Sequence, residues 1–154
     1  MDLRPATWQD RHTLYQWRHH EEETATWWEG NPVTMESHNT WLRARLKSPT
    51  VELWIAEDRV QEVDGRGNLI IGKWKRTPVG MVRIDSNGEV SVSIDPAHRK
   101  QGYGTKLLRE ACRVTSQSRL KASVDEGNLA ARRLFEKAGF TPRPDVLFYL
   151  KRLP

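Results

Sequence analysis

Cysteine is almost missing from this chain: Cys112 stands alone among 154 residues. An internal disulfide is therefore excluded, and with it a disulfide-stapled secreted scaffold, so a reducing, cytoplasmic setting is expected. Cys112 falls inside a predicted helix, where a lone thiol ordinarily packs. Long apolar runs are missing too. No stretch approaches the ~20 residues that span a bilayer, and Met1-Asp2-Leu3-Arg4-Pro5 lacks the apolar core of a secretory signal. Apolar residues make up only 37% of the chain. Its seven tryptophans raise the area that each apolar residue can bury, and the length suffices for one core. Blocks of like charge are also lacking. The formal net charge is +5, but the basic residues are scattered among acidic ones, which argues against a nucleic-acid-binding arm, and no membrane partner is expected. A solvated surface with one local anion site is the reading left. No repeat, low-complexity tract or linker divides residues 1–154, so one domain is expected, as a monomer or homodimer.

Periodicity supplies the elements. Leu3–Thr7 reads as an opening strand. A helix follows from Trp8 to about His19, with Leu14, Tyr15 and Trp17 at helical spacing and Thr7 as N-cap. Glu21–Pro32 reads as a loop or short helical turn. Thr34 caps a second helix whose stripe includes His38, Trp41, Leu42 and Leu46. Val51–Glu57, Leu69–Trp74 and Pro78–Asp85 read as strands, with a turn at Asp64-Gly65-Arg66-Gly67. Asn87-Gly88 is a strong hairpin signal leading into Glu89–Asp95. A glycine-bearing loop then opens a helix from Gly104 to Thr115, with Leu107, Leu108, Ala111 and Val114 on its apolar side. Leu120–Val124 is a strand, Leu129–Ala138 a helix closed by Gly139, and Phe148–Lys151 a last strand. The order predicts an α/β (mixed α+β) fold: one mixed, mostly antiparallel sheet of about six or seven strands with helices on both faces.

The chemistry concentrates at Ile94-Asp95-Pro96-Ala97-His98-Arg99-Lys100-Gln101-Gly102-Tyr103-Gly104-Thr105. Gly102 and Gly104 let the backbone turn so that successive N–H groups converge, and a helix begins there with its positive end outward. Arg99 and Lys100 add cationic side chains. A pyrophosphate fits this cradle, although a plain glycine-rich turn into a helix has the same composition. The spacing matches neither a Walker loop nor a dinucleotide fingerprint.

Arg99-x-x-Gly102-x-Gly104 after a strand and a proline resembles the motif by which GNAT acetyltransferases hold the coenzyme A pyrophosphate. Asn128-Leu129-Ala130-Ala131 and Phe135-Glu136-Lys137-Ala138-Gly139-Phe140 resemble the second signature of that family. The resemblance implies the GNAT fold, with two strands splayed apart around the pantetheine arm of acetyl-CoA. It implies that the main chain at Ser93, Ile94 and Asp95 bonds the pantetheine amides. It places the pyrophosphate on Arg99, Lys100, Gln101, Gly102, Tyr103, Gly104 and Thr105. Asn128 and Phe135 would then lie near the sulfur, with Asn128 serving equally as a helix N-cap. A backbone N–H on the thioester oxygen is an oxyanion contact worth about 3–4 kcal/mol.

The implied reaction is attack by a neutral amine, which needs a proton acceptor. Glu89, Ser91, Ser93 and Asp95 alternate with Val90, Val92 and Ile94, so one strand face carries an acid and two hydroxyls, a possible water relay. Glu89 is the leading candidate base, then Asp85, then Asp125 or Glu126, although carboxylates beside a hairpin are ordinarily only solvated. The sequence departs from the family at Phe135, where many members carry a tyrosine whose hydroxyl protonates the leaving thiolate. Solvent, Tyr103 or Tyr149 would take that task, or no acid is needed.

The acceptor is a small-molecule amine on this reading, with no metal expected. Trp27-Trp28, with His38 and Trp41 further on, offers flat surfaces suited to a sugar ring or base, although Trp17 and Trp41 equally fit a helical core. Trp17-Arg18, Pro32-Val33-Thr34 and Gly80-Met81-Val82-Arg83-Ile84-Asp85 resemble the amino-sugar branch, including acetyltransferases of nucleotide-linked 4-amino sugars in the pseudaminic acid pathway; Arg83 joins Trp27 and Trp28 as a substrate-binding candidate. Trp27-Trp28-Glu29-Gly30 with Glu21–Glu23 resembles aminoglycoside 6′-N-acetyltransferases. Acetylation of protein N-termini or lysines, and a non-catalytic acyl-CoA-binding module, are the alternatives. Arg59–Thr77 reads as an insertion that could reshape the acceptor side.

Overall fold

The computed structural model describes residues 1–24, 33–143 and 148–153. Strand β1 spans Asp2–Pro5, helix α1 Arg11–Thr24, and helix α2 Met35–Lys47. Strands β2 (Glu52–Val63), β3 (Leu69–Ile84) and β4 (Val90–Ile94) follow. Helix α3 spans Tyr103–Val114, β5 Arg119–Ser123, α4 Leu129–Lys137, β6 Thr141–Pro142, and β7 Phe148–Arg152. The strands form an antiparallel sheet in the order β1-β2-β3-β4 and a second in the order β5-β7-β6. A single parallel bridge, Glu89 to Lys121, joins them. The β4 and β5 strands thus touch at one end and part at the other, which is the expected splay.

Alternation along the strands sorts the core. Leu53 and Ile55 of β2, with Met81 of β3, meet Leu14 and Trp17 of α1 and Leu42 of α2 on one face. Ala56, Val82 and Ile84 point to the other face and pack with Leu107, Leu108 and Ala111 of α3. Phe135 of α4 and Phe140 join that second cluster, their rings edge to face at 5.1 Å. Among the described residues, no helix is long and apolar enough to cross a membrane.

Three expectations change. The first helix begins at Arg11 rather than Trp8, because residues 8–10 form a tight 3-10 turn. Asp10 holds that turn: it accepts from the Thr7 N–H at 2.8 Å and from Nη2 and Nη1 of Arg4 at 2.7 and 2.9 Å. The α1 helix then runs on to Thr24, into the stretch read as a loop. The Arg59–Thr77 insertion is neither loop nor separate strand. The β2 and β3 strands continue past the sheet as a two-stranded ribbon, with Arg59 opposite Arg76 and Gln61 opposite Trp74. Asp64 closes its tip by accepting the Arg66 and Asn68 N–H groups at 2.8 and 3.0 Å.

Candidate functional site

The loop between β4 and α3 carries the densest set of unusual backbone. Asp95 ends β4 and caps a short turn over Pro96–His98, its Oδ1 accepting the Ala97 N–H at 2.9 Å. Lys100 has φ 60°, the one non-glycine positive φ among the described residues, and Gly102 has φ 80°. Holding a lysine there costs about 1–3 kcal/mol, strain of a kind that gathers at ligand-binding loops. Gly102 is the N-cap of α3 and provides no side-chain acceptor to the first turn. The N–H groups of Tyr103, Gly104 and Thr105 have no acceptor within the helix, and the turn closes with Lys106 N–H to Gly102 O at 3.3 Å. A Cβ built on Gly102 would meet nothing within 4 Å. The loop is therefore a shallow cradle of N–H groups, with exposed Arg99, Lys100 and Gln101 on its rim. Arg99 also donates from Nε to Ile94 O at 3.2 Å, tying the rim to the end of β4.

Gly104 also has a packing role. A Cβ there would lie 2.9 Å from Leu134 Cδ1, so the absence of a side chain lets α3 lie close against α4 while the N–H stays in the first turn. Tyr103 is also turned aside. Burial, followed by the nearby Asp58 carboxylate, pushes its phenol up from the ordinary value.

The splay itself presents backbone. Asp85 N–H donates to Glu89 O and Asp95 N–H to Val79 O, each at 2.9 Å, so odd-numbered residues along β4 turn their polar backbone toward β3. The Lys121 N–H takes Gly88 O at 3.0 Å, and the even-numbered residues face β5. Strand alternation therefore directs the amides of Val92 and Ile94 into the gap. Of the three main-chain positions expected there, the amide of Ile94 faces the gap, while those of Ser93 and Asp95 turn toward β3. The amide of Val92 faces the gap as well, a position strand parity gives once one bond to β3 is known.

On the sheet face under α1 and α2, Glu89, Ser91 and Ser93 line up as their alternation requires. Glu89 accepts from Ser123 Oγ of β5 at 3.3 Å, so it stands across the narrow end of the splay. Ser93 is buried. Arg83 of β3 donates from Nη2 to Ser91 Oγ at 3.3 Å and lies 3.1 Å from Asp85 through Nε. The Asp85 carboxylate is therefore ion-paired with a guanidinium, whereas Glu89 meets the Ser123 hydroxyl. Asp125 and Glu126 lie in the turn before α4. Asn128 caps α4, its Oδ1 accepting the Ala131 N–H at 3.1 Å, so what it can offer a ligand is its Nδ2 amide. Phe135 is a core residue, only 5% exposed.

The acceptor half is less complete. Trp27 and Trp28 lie outside the described residues, and the side chain of Tyr149 does too. His38 is not a flat surface for a ligand: it is fully buried between the first two helices, its Nε2 2.9 Å from Arg11 O. Burial lowers its imidazole from 6.5 and keeps it neutral, which suits a helix-to-helix bond in an apolar layer. Trp17 is core, whereas Trp41 is half-buried beside Arg83, with 5.7 Å between the guanidinium carbon and the ring centre.

Comparison with known proteins bears on the family and the fold. The sequence profile of the acetyltransferase (GNAT) domain matches residues 1–141. A candidate phosphinothricin acetyltransferase of Bacillus subtilis is 33% identical over 112 residues, 71% of this chain and 64% of that relative. The chain thus spans just under two thirds of the length of that relative. A solved acetyltransferase candidate from Salmonella typhimurium, with acetyl-CoA as its cofactor, superposes with TM-score 0.72 at 19% identity, covering 100% of this chain and 94% of that one. The Vibrio cholerae spermidine N-acetyltransferase, in complex with CoA and spermine, superposes with TM-score 0.68 at 15% identity, covering 98% and 92%. At these identities the structural likenesses speak for the fold.

Proposed function

The chain belongs to the acetyltransferase (GNAT) family, and from that premise we propose that it moves an acetyl group from acetyl-CoA to a primary amine of a small molecule, an amino sugar or nucleotide-linked amino sugar. The observation that carries the proposal is the uncapped start of α3. Gly102 gives the first turn no side-chain cap, a Cβ on it would meet nothing within 4 Å, and this open helix start follows the end of β4 beside the splay from β5.

The residues divide the work by position. The α3 amides, with Arg99 and Lys100, hold the pyrophosphate. Val92 and Ile94 bond the pantetheine amides and keep that arm extended in the gap. Acetyl-CoA supplies the acetyl group as a thioester. Glu89 draws a proton from the incoming ammonium through the Ser91 and Ser93 face, leaving the amine neutral for attack. Phe135 has no proton to give, and burial with the Asp58 carboxylate raises the Tyr103 phenol, so as the C–N bond forms and the C–S bond breaks the coenzyme A thiolate leaves without a side-chain acid and takes its proton from solvent. Arg83 and Trp41 border the acceptor on the α1–α2 side.

A thiol-release screen over amino sugars, aminoglycosides and peptides tests this reading. Fastest turnover on an amino sugar is expected, and preference for a peptide or an aminoglycoside contradicts the acceptor. Coenzyme A binding with turnover on none of them favours the second reading, a non-catalytic module, which draws its support from Phe135.

A further inference from the structure

The expected acceptor residues left one cluster unused. Trp41 of α2 is surrounded by guanidiniums from three different elements: Arg18 of α1 at 4.3 Å from the ring centre, Arg45 of α2 at 5.7 Å and Arg83 of β3 at 5.7 Å. Arginine over tryptophan is a favourable contact in itself. Stacking orients a guanidinium, however, without satisfying its N–H groups. The Nε of Arg45 and that of Arg83 are each buried with no hydrogen bond. Arg83 Nε comes within 3.1 Å of Asp85 Oδ1 but is misaligned for a bond to it. Arg45 has no ion pair among the described residues, and an unpaired buried donor on a cation is costly. Asp85 already offsets the charge of Arg83, so an anion beside Trp41 would chiefly satisfy Arg45 while drawing on the remaining N–H groups of Arg83, and would relieve the repulsion among the three guanidiniums.

The location gives that anion a purpose. Arg83 reaches Ser91 Oγ, and Ser91 shares its strand face with Glu89 and Ser93, two residues to either side. That spacing is about 7 Å along a strand. A ligand anchored by its anion at Arg83 would bring an amine only a few bonds away to the proton relay.

Resting on the acetyltransferase reading above, we propose that Arg45 and Arg83, framed by Trp41, form a subsite for a carboxylate or phosphate carried by the acceptor amine. The acceptor is then a compact zwitterion or amino-sugar phosphate, and polycationic amines are disfavoured by the same charges.

Calorimetry on protein saturated with coenzyme A tests this with the pyrophosphate cradle already filled. Glucosamine 6-phosphate is compared with glucosamine, and serine with serinamide. The anionic member of at least one pair binds about ten-fold tighter or more, as a charge-assisted contact requires, and the pair that discriminates identifies phosphate or carboxylate. Arg45→Gln and Arg83→Gln each reduce that preference while leaving coenzyme A affinity within about two-fold. Equal binding within both pairs, or a preference that survives both substitutions, overturns the subsite and leaves the acetyltransferase reading intact. Failure of coenzyme A itself to bind overturns that reading, and the subsite with it.

Discussion

Alanine at Gly88 and alanine at Gly102 impose the same backbone demand in two different surroundings. The two glycines have φ 82° and 80°, so each substitution forces an L-residue into the left-handed region at about 1–2 kcal/mol. At Gly102 nothing stands in the way of the new methyl, and stability should fall by little more than that strain. At Gly88 the methyl would overlap the Arg119 carbonyl oxygen, which is backbone and cannot rotate aside. The hairpin and β5 must move apart, and the Lys121 N–H to Gly88 O bond of 3.0 Å at the pivot of the splay is lost with them. Strain, overlap and the lost bond together come to about 3–5 kcal/mol. For a domain of this size that is a fall in Tm of roughly 6–20 °C at Gly88, against about 2–8 °C at Gly102. Ligand binding reverses the ranking. A methyl in the cradle displaces one or two charge-assisted bonds, weakening coenzyme A by about 10- to 100-fold. Urea unfolding and calorimetric titration of both variants give the two rankings. Gly88→Ala within about 1 kcal/mol of the parent, or Gly102→Ala binding coenzyme A as tightly as the parent, would refute this division of labour.

Two further outcomes follow from the site and the core. Glu89→Gln should lower kcat, most steeply below about pH 8 where the amine is chiefly protonated; a pH profile identical to the parent's removes Glu89 as the base. For His38 the folded imidazole titrates below its ordinary 6.5, so the unfolded chain takes up the proton first as the pH falls. Its contribution to stability is full above about pH 6.5 and declines below it. His38→Gln should flatten the urea midpoint between about pH 7 and 5, and an unchanged slope would show that His38 is not the group responsible.

Local chemistry accounts for what was legible in the sequence. Asn87-Gly88 demands a positive φ within one turn, and the observed turn has it at Gly88. The α3 stripe of Leu107, Leu108 and Ala111 is buried as its spacing requires. What escaped was set by distant partners. The ribbon beyond the sheet buries no continuous face, so its strands owe their form to cross-strand bonding rather than to alternation. Gly104 lies beside Leu134, thirty positions along the chain, and no neighbour in sequence announces that contact. His38 looked like a surface aromatic until α1 packed over it and offered the Arg11 carbonyl. The amides of Val92 and Ile94 face the splay because β3 takes the intervening ones. The guanidiniums around Trp41 come from α1, α2 and β3, so no motif in one segment holds them.

The central claim, that the start of α3 and the splay beside it hold acetyl-CoA, is tested most directly by calorimetric titration of the purified chain with that cofactor. Saturable binding at one site is predicted, weakened about ten-fold or more in Gly102→Ala. No heat of binding at millimolar acetyl-CoA, from a chain that unfolds cooperatively, would contradict it.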